Sequence, residues 1–142
     1  MKYLSKSQKS DINNLLTILQ SGIFLKKQSV FLYYDKFVYR LCEKLYIEGL
    51  ICSLTVVELE SISFNQKKKI IQIYLKSFLG INILENIKKV SLKSGIRSMT
   101  LEEIINYRFV KSRLYFFSTP LGLLTYEECI RYKIGGVFLF SC

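Results

Sequence analysis

The sequence predicts an α+β protein: an N-terminal α-β-α-β-β half packed on a mainly β C-terminal half with short helices. Three observations predict this class. Half of the 142 residues are hydrophobic, which is enough for a packed core. Apolar residues at helical spacing alternate with short runs that favour strands. Gly and Pro are few, which excludes a linker. We predict two domains, 1–80 and 81–142.

A helix is predicted first, because four apolar residues share one helical face: Ile12, Leu15, Leu16 and Leu19. Ser10 or Asp11 can cap its start, and Gly22 is predicted to end it. Ser29–Tyr33 is rich in residues that favour strands, so a short strand follows.

Asp35 is the predicted N-cap of a second helix, and Gly49 provides its C-terminal stop. Its apolar face is formed by Val38, Leu41 and Leu45. Two strands are predicted next, at Leu50–Leu59 and Lys69–Lys76, with the polar segment Ser61–Lys68 as the hairpin loop.

The second half begins with Ile83–Ser91, which fits a helix or a strand and is interpreted as a strand. Ser94 and Gly95 indicate a turn. Thr100 and Glu103 have the spacing of a capping box, which predicts a short helix to about Phe109.

A hydrophobic strand at Leu114–Phe117 is followed by a predicted turn at Ser118–Gly122. The second capping box, Thr125 with Glu128, predicts a helix to about Lys133. Gly135 and Gly136 then end this helix before a last strand, Val137–Phe140.

The charge indicates a polyanionic partner, nucleic acid first and an anionic membrane second. The formal net charge is +10. Residues 61–99 carry 8 basic and 1 acidic side chains and hold most of the excess. A solvated basic hairpin is the alternative interpretation of this segment.

The types and spacing of the polar residues argue against catalysis. The chain has no His, so a Ser-His or Cys-His pair is excluded. The acidic pairs Glu102–Glu103 and Glu127–Glu128 lie in first helical turns, where the helix dipole accounts for them. No C-x-x-C pair occurs among the four cysteines, which we expect to be buried reduced thiols. We therefore predict no enzyme, catalytic residue, metal, cofactor or small-molecule substrate.

No segment is long and apolar enough for a membrane span. Met1–Ser10 lacks the apolar core of a secretory signal, and we do not expect it to be a transit peptide. Phe, Tyr, Met, Ile, Asn and Lys, which have A- and T-rich codons, make up 61 of the 142 residues. This usage indicates an AT-rich genome, such as that of an organelle or a parasite.

The segment Ser118–Gly122 is the most informative one. Two hydroxyls, a Pro and a Gly follow a strand and precede a capped helix. Short hydroxyl side chains can reach phosphate oxygens and ribose hydroxyls. An ordinary connection between a strand and a helix is the equally simple alternative.

This segment is part of a longer resemblance. Phe116–Gly136 (FFSTPLGLLTYEECIRYKIGG) resembles the C-terminal signature of the universal small-subunit ribosomal protein eight family, with its Ser-Thr-x-x-Gly loop and its Gly-Gly before the last strand. Ile87–Ser91 and Ser94–Arg97 resemble its Ile-x-Arg-Val-Ser-x-Pro-Gly-Leu-Arg. Further similar segments lie upstream, at Ile73–Lys76, Glu48–Ile51 and Leu15–Thr17.

The resemblance implies the same order of elements and a structural role without catalysis. It implies direct binding to the central domain of small-subunit rRNA, by a C-terminal rRNA-binding domain at 81–142, and contacts with neighbouring small-subunit proteins. The positions that match the family's RNA contacts are Ser118, Thr119 and Gly122 in the loop, Lys89, Ser91, Lys93 and Arg97 in the basic segment, and Thr17 and Lys36 in the N-terminal half.

The sequence also departs from the family. Pro120 and Leu121 stand where the family loop usually has Ser and Lys, and Val137 stands where a Glu usually follows Gly-Gly. This divergence, together with the AT-rich usage, suggests a member encoded in an organelle genome. We expect the mitochondrion, with the plastid as the lesser alternative. A basic peripheral membrane protein and a generic RNA-binding protein are the competing functions.

Overall fold

The computed structural model describes residues 5–60, 67–85, 87 and 98–142. It confirms the predicted α+β class, with helices and antiparallel sheets. The chain divides into two compact units, one spanning residues 11–86 and the other spanning residues 87–142 with residues 1–10. The functional domains 1–80 and 81–142 stay a prediction.

The N-terminal unit is built around a three-stranded antiparallel sheet in the order β1-β3-β2. A two-stranded ribbon, β4–β5, follows the sheet. The elements are α1 (Lys6–Phe24), β1 (Ser29–Tyr33), α2 (Lys36–Ile47), β2 (Ile51–Glu60), β3 (Lys67–Leu75), β4 (Ser77–Phe78) and β5 (Ile81–Asn82). The apolar faces predicted for the two helices are buried, together with Val30, Leu32, Ile71 and Ile73 of the sheet.

Helix α1 does not end at Gly22 as predicted. Gly22 lies within the helix and is buried, because Val30 packs so closely against it that a Cβ would clash with the Val30 side chain. The helix ends at Phe24, and Lys26 adopts the left-handed conformation with φ 51° that often closes a helix. Helix α2 begins as predicted: the Phe37 amide donates to Asp35 Oδ2 over 2.8 Å, and Gly49 follows the helix with φ 74°.

Two sequence interpretations in the later part of the N-terminal unit change. Lys67 and Lys68 belong to strand β3 rather than to the predicted loop, whose residues 61–66 lie outside the described residues. Residues 83–85 form a turn, so the predicted strand at Ile83–Ser91 is wrong there; residues 86 and 88–91 lie outside the described residues, as does the turn predicted at Ser94 and Gly95.

The C-terminal unit contains a four-stranded antiparallel sheet in the order β6-β9-β7-β8. Its elements are β6 (Ser98–Met99), α3 (Leu101–Asn106), β7 (Tyr115–Thr119), β8 (Gly122–Thr125), α4 (Tyr126–Arg131) and β9 (Gly136–Ser141). One core cluster joins the strands to the two helices: Met99, Ile104, Phe117, Leu124, Cys129 and Phe138. This packing fixes the position of the turn between β7 and β8.

Both short helices begin where the sequence predicts. The Glu103 amide donates to Thr100 Oγ1 over 3.3 Å, and the Thr100 amide donates to Glu103 Oε2 over 2.9 Å. The Thr125 amide likewise donates to Glu128 Oε2 over 2.8 Å. Each helix ends two or three residues earlier than predicted.

The cysteines are free thiols, but only two are fully buried. Cys42 and Cys129 lie in the cores of the two units, whereas Cys142 is half-buried and Cys52 is exposed. The prediction of four buried thiols is therefore wrong for Cys52, which is exposed on strand β2, and for Cys142, which is only half-buried.

Candidate RNA-binding hairpin

The segment predicted as a turn, Ser118–Gly122, is the end of a β-hairpin. Ser118 and Thr119 complete strand β7, and Gly122 begins strand β8, so only Pro120 and Leu121 form the turn. Thr119 pairs with Gly122, and Ser118 pairs with Leu123. Strand β8 was not predicted, because four residues between a turn and a capping box carry too short a pattern for recognition.

The hairpin end is closed by a hydrogen bond across its turn. The Thr119 hydroxyl donates to the Gly122 carbonyl oxygen over 2.8 Å. Gly122 has φ 118°, a conformation that residues with a Cβ rarely adopt, while a Cβ there would have open space. Gly122 is therefore required for the backbone direction, and Thr119 keeps only acceptor lone pairs for a ligand.

Ser118 differs from Thr119 in what its hydroxyl can offer to a ligand. The residue is half-buried, and its side chain has no hydrogen-bond partner among the described residues. A free hydroxyl can donate to a phosphate or ribose oxygen and accept from a ribose hydroxyl. Ser118 is thus the side chain at the hairpin end that can still both donate and accept.

The start of strand β9 sets the position of this hairpin. A Cβ on Gly136 would lie 2.7 Å from the Ser118 carbonyl oxygen and 2.8 Å from Thr119 Cγ2. A Cβ on Gly135 would lie 2.6 Å from the Met99 carbonyl oxygen. The two glycines therefore let β9 lie between strands β7 and β6 at a distance that no side chain permits. The sequence indicated only a helix break here.

Two cations near the hairpin were also missed by the sequence analysis. Arg131 and Lys133 are exposed and have no ion pair within the described part of the chain. Lys133 adopts φ 53° after helix α4 and precedes Gly136 by three residues. Three extended residues span at most about 11 Å, so the Lys133 backbone is held near the Ser118 strand. The sequence signal that could have identified them is their position just before the Gly-Gly pair.

The predicted residues of the N-terminal half lie in the other unit. Thr17 is exposed on helix α1, where its hydroxyl donates to the Asn13 carbonyl oxygen over 2.8 Å. Lys36 is the exposed first residue of helix α2, directly after the Asp35 cap. Lys36 has no ion pair within the described residues and is available to an anion.

Lys89, Ser91, Lys93 and Arg97 all lie outside the described residues. Among the cations that are described, Lys67 and Lys69 face acidic partners across the β2–β3 hairpin, with Lys69 Nζ 3.2 Å from Glu58 Oε1.

Within residues 5–60, 67–85, 87 and 98–142, no helix is long and apolar enough to span a membrane.

Comparison with known proteins identifies one family. The model of the family described as ribosomal protein S8 matches residues 10–142, which include both units and the whole β7–β8 hairpin. No individual curated protein matches the chain.

Proposed function

The chain belongs to the ribosomal protein S8 family, and from this premise we propose that it binds the central domain of small-subunit rRNA in a mitochondrial ribosome. The family consists of structural, non-enzymatic proteins of the small ribosomal subunit that bind rRNA and sit among other small-subunit proteins. The rRNA domain, the contacting residues and the compartment are the parts that we propose.

The Ser118 hydroxyl carries the proposal for the contact surface. It has no hydrogen-bond partner among the described residues, and it lies on strand β7, which pairs with β8 on one side and β9 on the other. Its small size permits close approach of the backbone to RNA. Thr119, which is only 9 % exposed, closes the turn beside it, and Gly122 adds an exposed backbone. Because the hairpin is already ordered, binding does not have to offset the entropy of ordering a loop.

The cations Arg131 and Lys133 supply the charge that the hairpin itself lacks. Pro120 and Leu121 carry no charge and cannot neutralise a phosphate. Leu121 is 65 % exposed at the turn. Arg131 at the end of helix α4 and Lys133 just after it have no ion pair among the described residues and provide that neutralisation. Lys89, Ser91, Lys93 and Arg97 are proposed to extend this surface, and Thr17 and Lys36 to provide a second contact in the N-terminal unit.

The experiment is a salt titration of binding to a central-domain fragment of the source organism's small-subunit rRNA. An unrelated duplex of equal length is the reference RNA. We expect tighter binding to the rRNA fragment, with a log-log salt slope that corresponds to several phosphate contacts. Ser118→Ala should weaken binding to the fragment about threefold to tenfold, the usual value of one lost hydrogen bond.

Ser112→Ala is the control for the loss of a serine hydroxyl, because Ser112 lies in the same unit but outside the hairpin, on an exposed turn. Equal binding of both RNAs would contradict the central-domain assignment. Equal weakening by the two Ser→Ala variants would contradict the assignment of the hairpin.

The proposed mitochondrial origin rests on the residue usage, with 61 of 142 residues drawn from six types with A- and T-rich codons. Isolated mitochondria of the source organism, supplied with labelled amino acids, should synthesise this chain and incorporate it into small subunits. Labelling of the chain only by cytosolic translation or by plastids would contradict the proposal.

A further inference from the structure

The β4–β5 hairpin presents an apolar tip to solvent. Phe78, Leu79 and Ile81 are 71 %, 86 % and 62 % exposed, and Ile83 is 40 % exposed directly after the hairpin. Phe78 pairs with Ile81 across the two strands, so the apolar side chains meet at the end of the hairpin. Scattered exposed apolar residues are ordinary, but a contiguous group of them indicates an interaction site.

The backbone at the tip is also in an unfavourable conformation. Leu79 has φ 51° and Gly80 has φ 80°, the signs that a tight hairpin turn requires at its two central residues. Gly, Asn and Asp suit the first of these positions, whereas the Cβ of Leu crowds the following carbonyl there. Leu79 therefore has an unfavourable backbone conformation and an apolar side chain that is 86 % exposed to water.

The stem of the hairpin is well supported. The Ile83 amide donates to the Lys76 carbonyl oxygen over 3.0 Å, which closes the stem. Lys76 Nζ donates to the Gly49 carbonyl oxygen over 3.2 Å. The Leu84 amide donates to Asn82 Oδ1 over 3.0 Å, and Leu84 itself is fully buried. These hydrogen bonds fix the base of the hairpin, so its apolar tip is exposed on an ordered stem.

Charge distinguishes the two classes of partner that a ribosomal protein meets. Residues 77–84 contain no charged side chain, although they lie within the most basic third of the chain. Contact with rRNA is dominated by cations at phosphates, which this tip cannot provide. An apolar pocket on a protein suits an uncharged group of Phe, Leu and Ile.

We propose that the β4–β5 hairpin tip, with Leu79 at its apex, docks into an apolar pocket of a neighbouring protein in the small ribosomal subunit. The proposal rests on the family role as a small-subunit protein. Binding of Leu79 in the pocket removes its apolar surface from water. This gain explains why Leu occupies a position whose left-handed backbone and exposure are unfavourable in the protein alone.

Photo-crosslinking from position 79 tests the contact. A chain with p-benzoylphenylalanine at position 79 is reconstituted into the source organism's small subunits, irradiated, and analysed by mass spectrometry of the crosslinked peptides. We expect an adduct with apolar residues of one small-subunit protein. The same probe at position 26 is the control, because Lys26 is exposed with the same φ of 51°.

Each alternative outcome is distinct. An adduct with rRNA, or no adduct in subunits that contain the chain, would overturn the docking proposal and leave the rRNA-binding role standing. A chain that enters no small subunit would overturn the proposed function together with the docking proposal.

Leu79→Asn provides a second test that does not depend on loss of folding. Asn tolerates the left-handed conformation, so the variant should unfold about 2–4 °C higher than the wild type. We nevertheless expect its occupancy in reconstituted subunits to fall about tenfold in competition with the wild type. Lys26→Asn should raise Tm similarly without lowering occupancy, and equal occupancy of Leu79→Asn and wild type would overturn the proposal.

Discussion

Gly136 packs against Ser118 so closely that a Cβ at position 136 would lie 2.7 Å from the Ser118 carbonyl oxygen. Ser118 pairs on this side with Val137 of strand β9 and on the other side with Leu123 of strand β8. The position of the Ser118 hydroxyl therefore depends on a glycine eighteen residues later in the chain.

Gly136→Ala should destabilise the C-terminal unit, because the added methyl group meets backbone on strand β7 that cannot rotate away. The cost of overpacking at such a site is about 1–3 kcal/mol in the free energy of unfolding, measured by urea denaturation. Affinity for the rRNA fragment should also fall, since the displaced strand carries Ser118. Ser112→Ala is the control for exposed substitutions, and an unchanged free energy of unfolding in Gly136→Ala would contradict the packing argument.

Thr119→Val and Thr119→Ser separate the hydroxyl of Thr119 from its methyl group. The Val variant loses the 2.8 Å hydrogen bond to the Gly122 carbonyl oxygen, and we expect a loss of about 0.5–1.5 kcal/mol in unfolding free energy. It should also bind the rRNA fragment more weakly. The Ser variant keeps the hydroxyl and should bind RNA as the wild type does, so equal binding by Val and Ser variants would exclude a role for the hydroxyl.

Gly22→Ala should destabilise the N-terminal unit, although Ala is favoured over Gly within a helix by about 1 kcal/mol. The new methyl group would clash with the side chain of Val30, which is buried and stiff at χ1. Overpacking of about 1–3 kcal/mol exceeds the gain in helix propensity. Urea denaturation of Gly22→Ala should therefore show lower stability than the wild type.

Val30→Ala is the second variant for this contact. Alone it leaves a cavity and lowers stability, but the double variant Gly22→Ala with Val30→Ala should be more stable than the two separate losses predict. Additive losses would show that the two side chains do not compete for the same space.

The features that the sequence predicted are those set by neighbouring residues. Asp35 caps helix α2 and Thr100 forms its capping box with Glu103, because each signal acts within one helical turn. Gly22 was wrongly predicted to end helix α1, and the close contact of Gly136 with strand β7 was not predicted. Both glycines are needed because a residue from elsewhere in the chain packs against them. The hairpin residues Ser118 and Thr119 were found from strand and turn chemistry together with the family resemblance. The support from β9 was not found, since it depends on tertiary packing.

Alkaline pH should destabilise the protein through Cys42 in a defined range. Burial in the core of the N-terminal unit raises the pKa of the Cys42 thiol from 9.0 to about 12. The folded state keeps this thiol protonated between these values, whereas the unfolded state releases the proton. The free energy of unfolding should therefore be unaffected by Cys42 below pH 9 and should fall by about 1.4 kcal/mol per pH unit between pH 9 and 12.

Cys42→Ala isolates this contribution from the other groups that titrate at high pH. The variant starts from lower stability because it leaves a cavity, but it lacks the thiol. Urea denaturation at pH 8 and pH 10 should show the stability difference between wild type and Cys42→Ala shrinking by about 1.4 kcal/mol at the higher pH. Cys52→Ala, at an exposed cysteine, should follow the wild-type dependence. A constant difference between wild type and Cys42→Ala would mean that water reaches the thiol in the folded state.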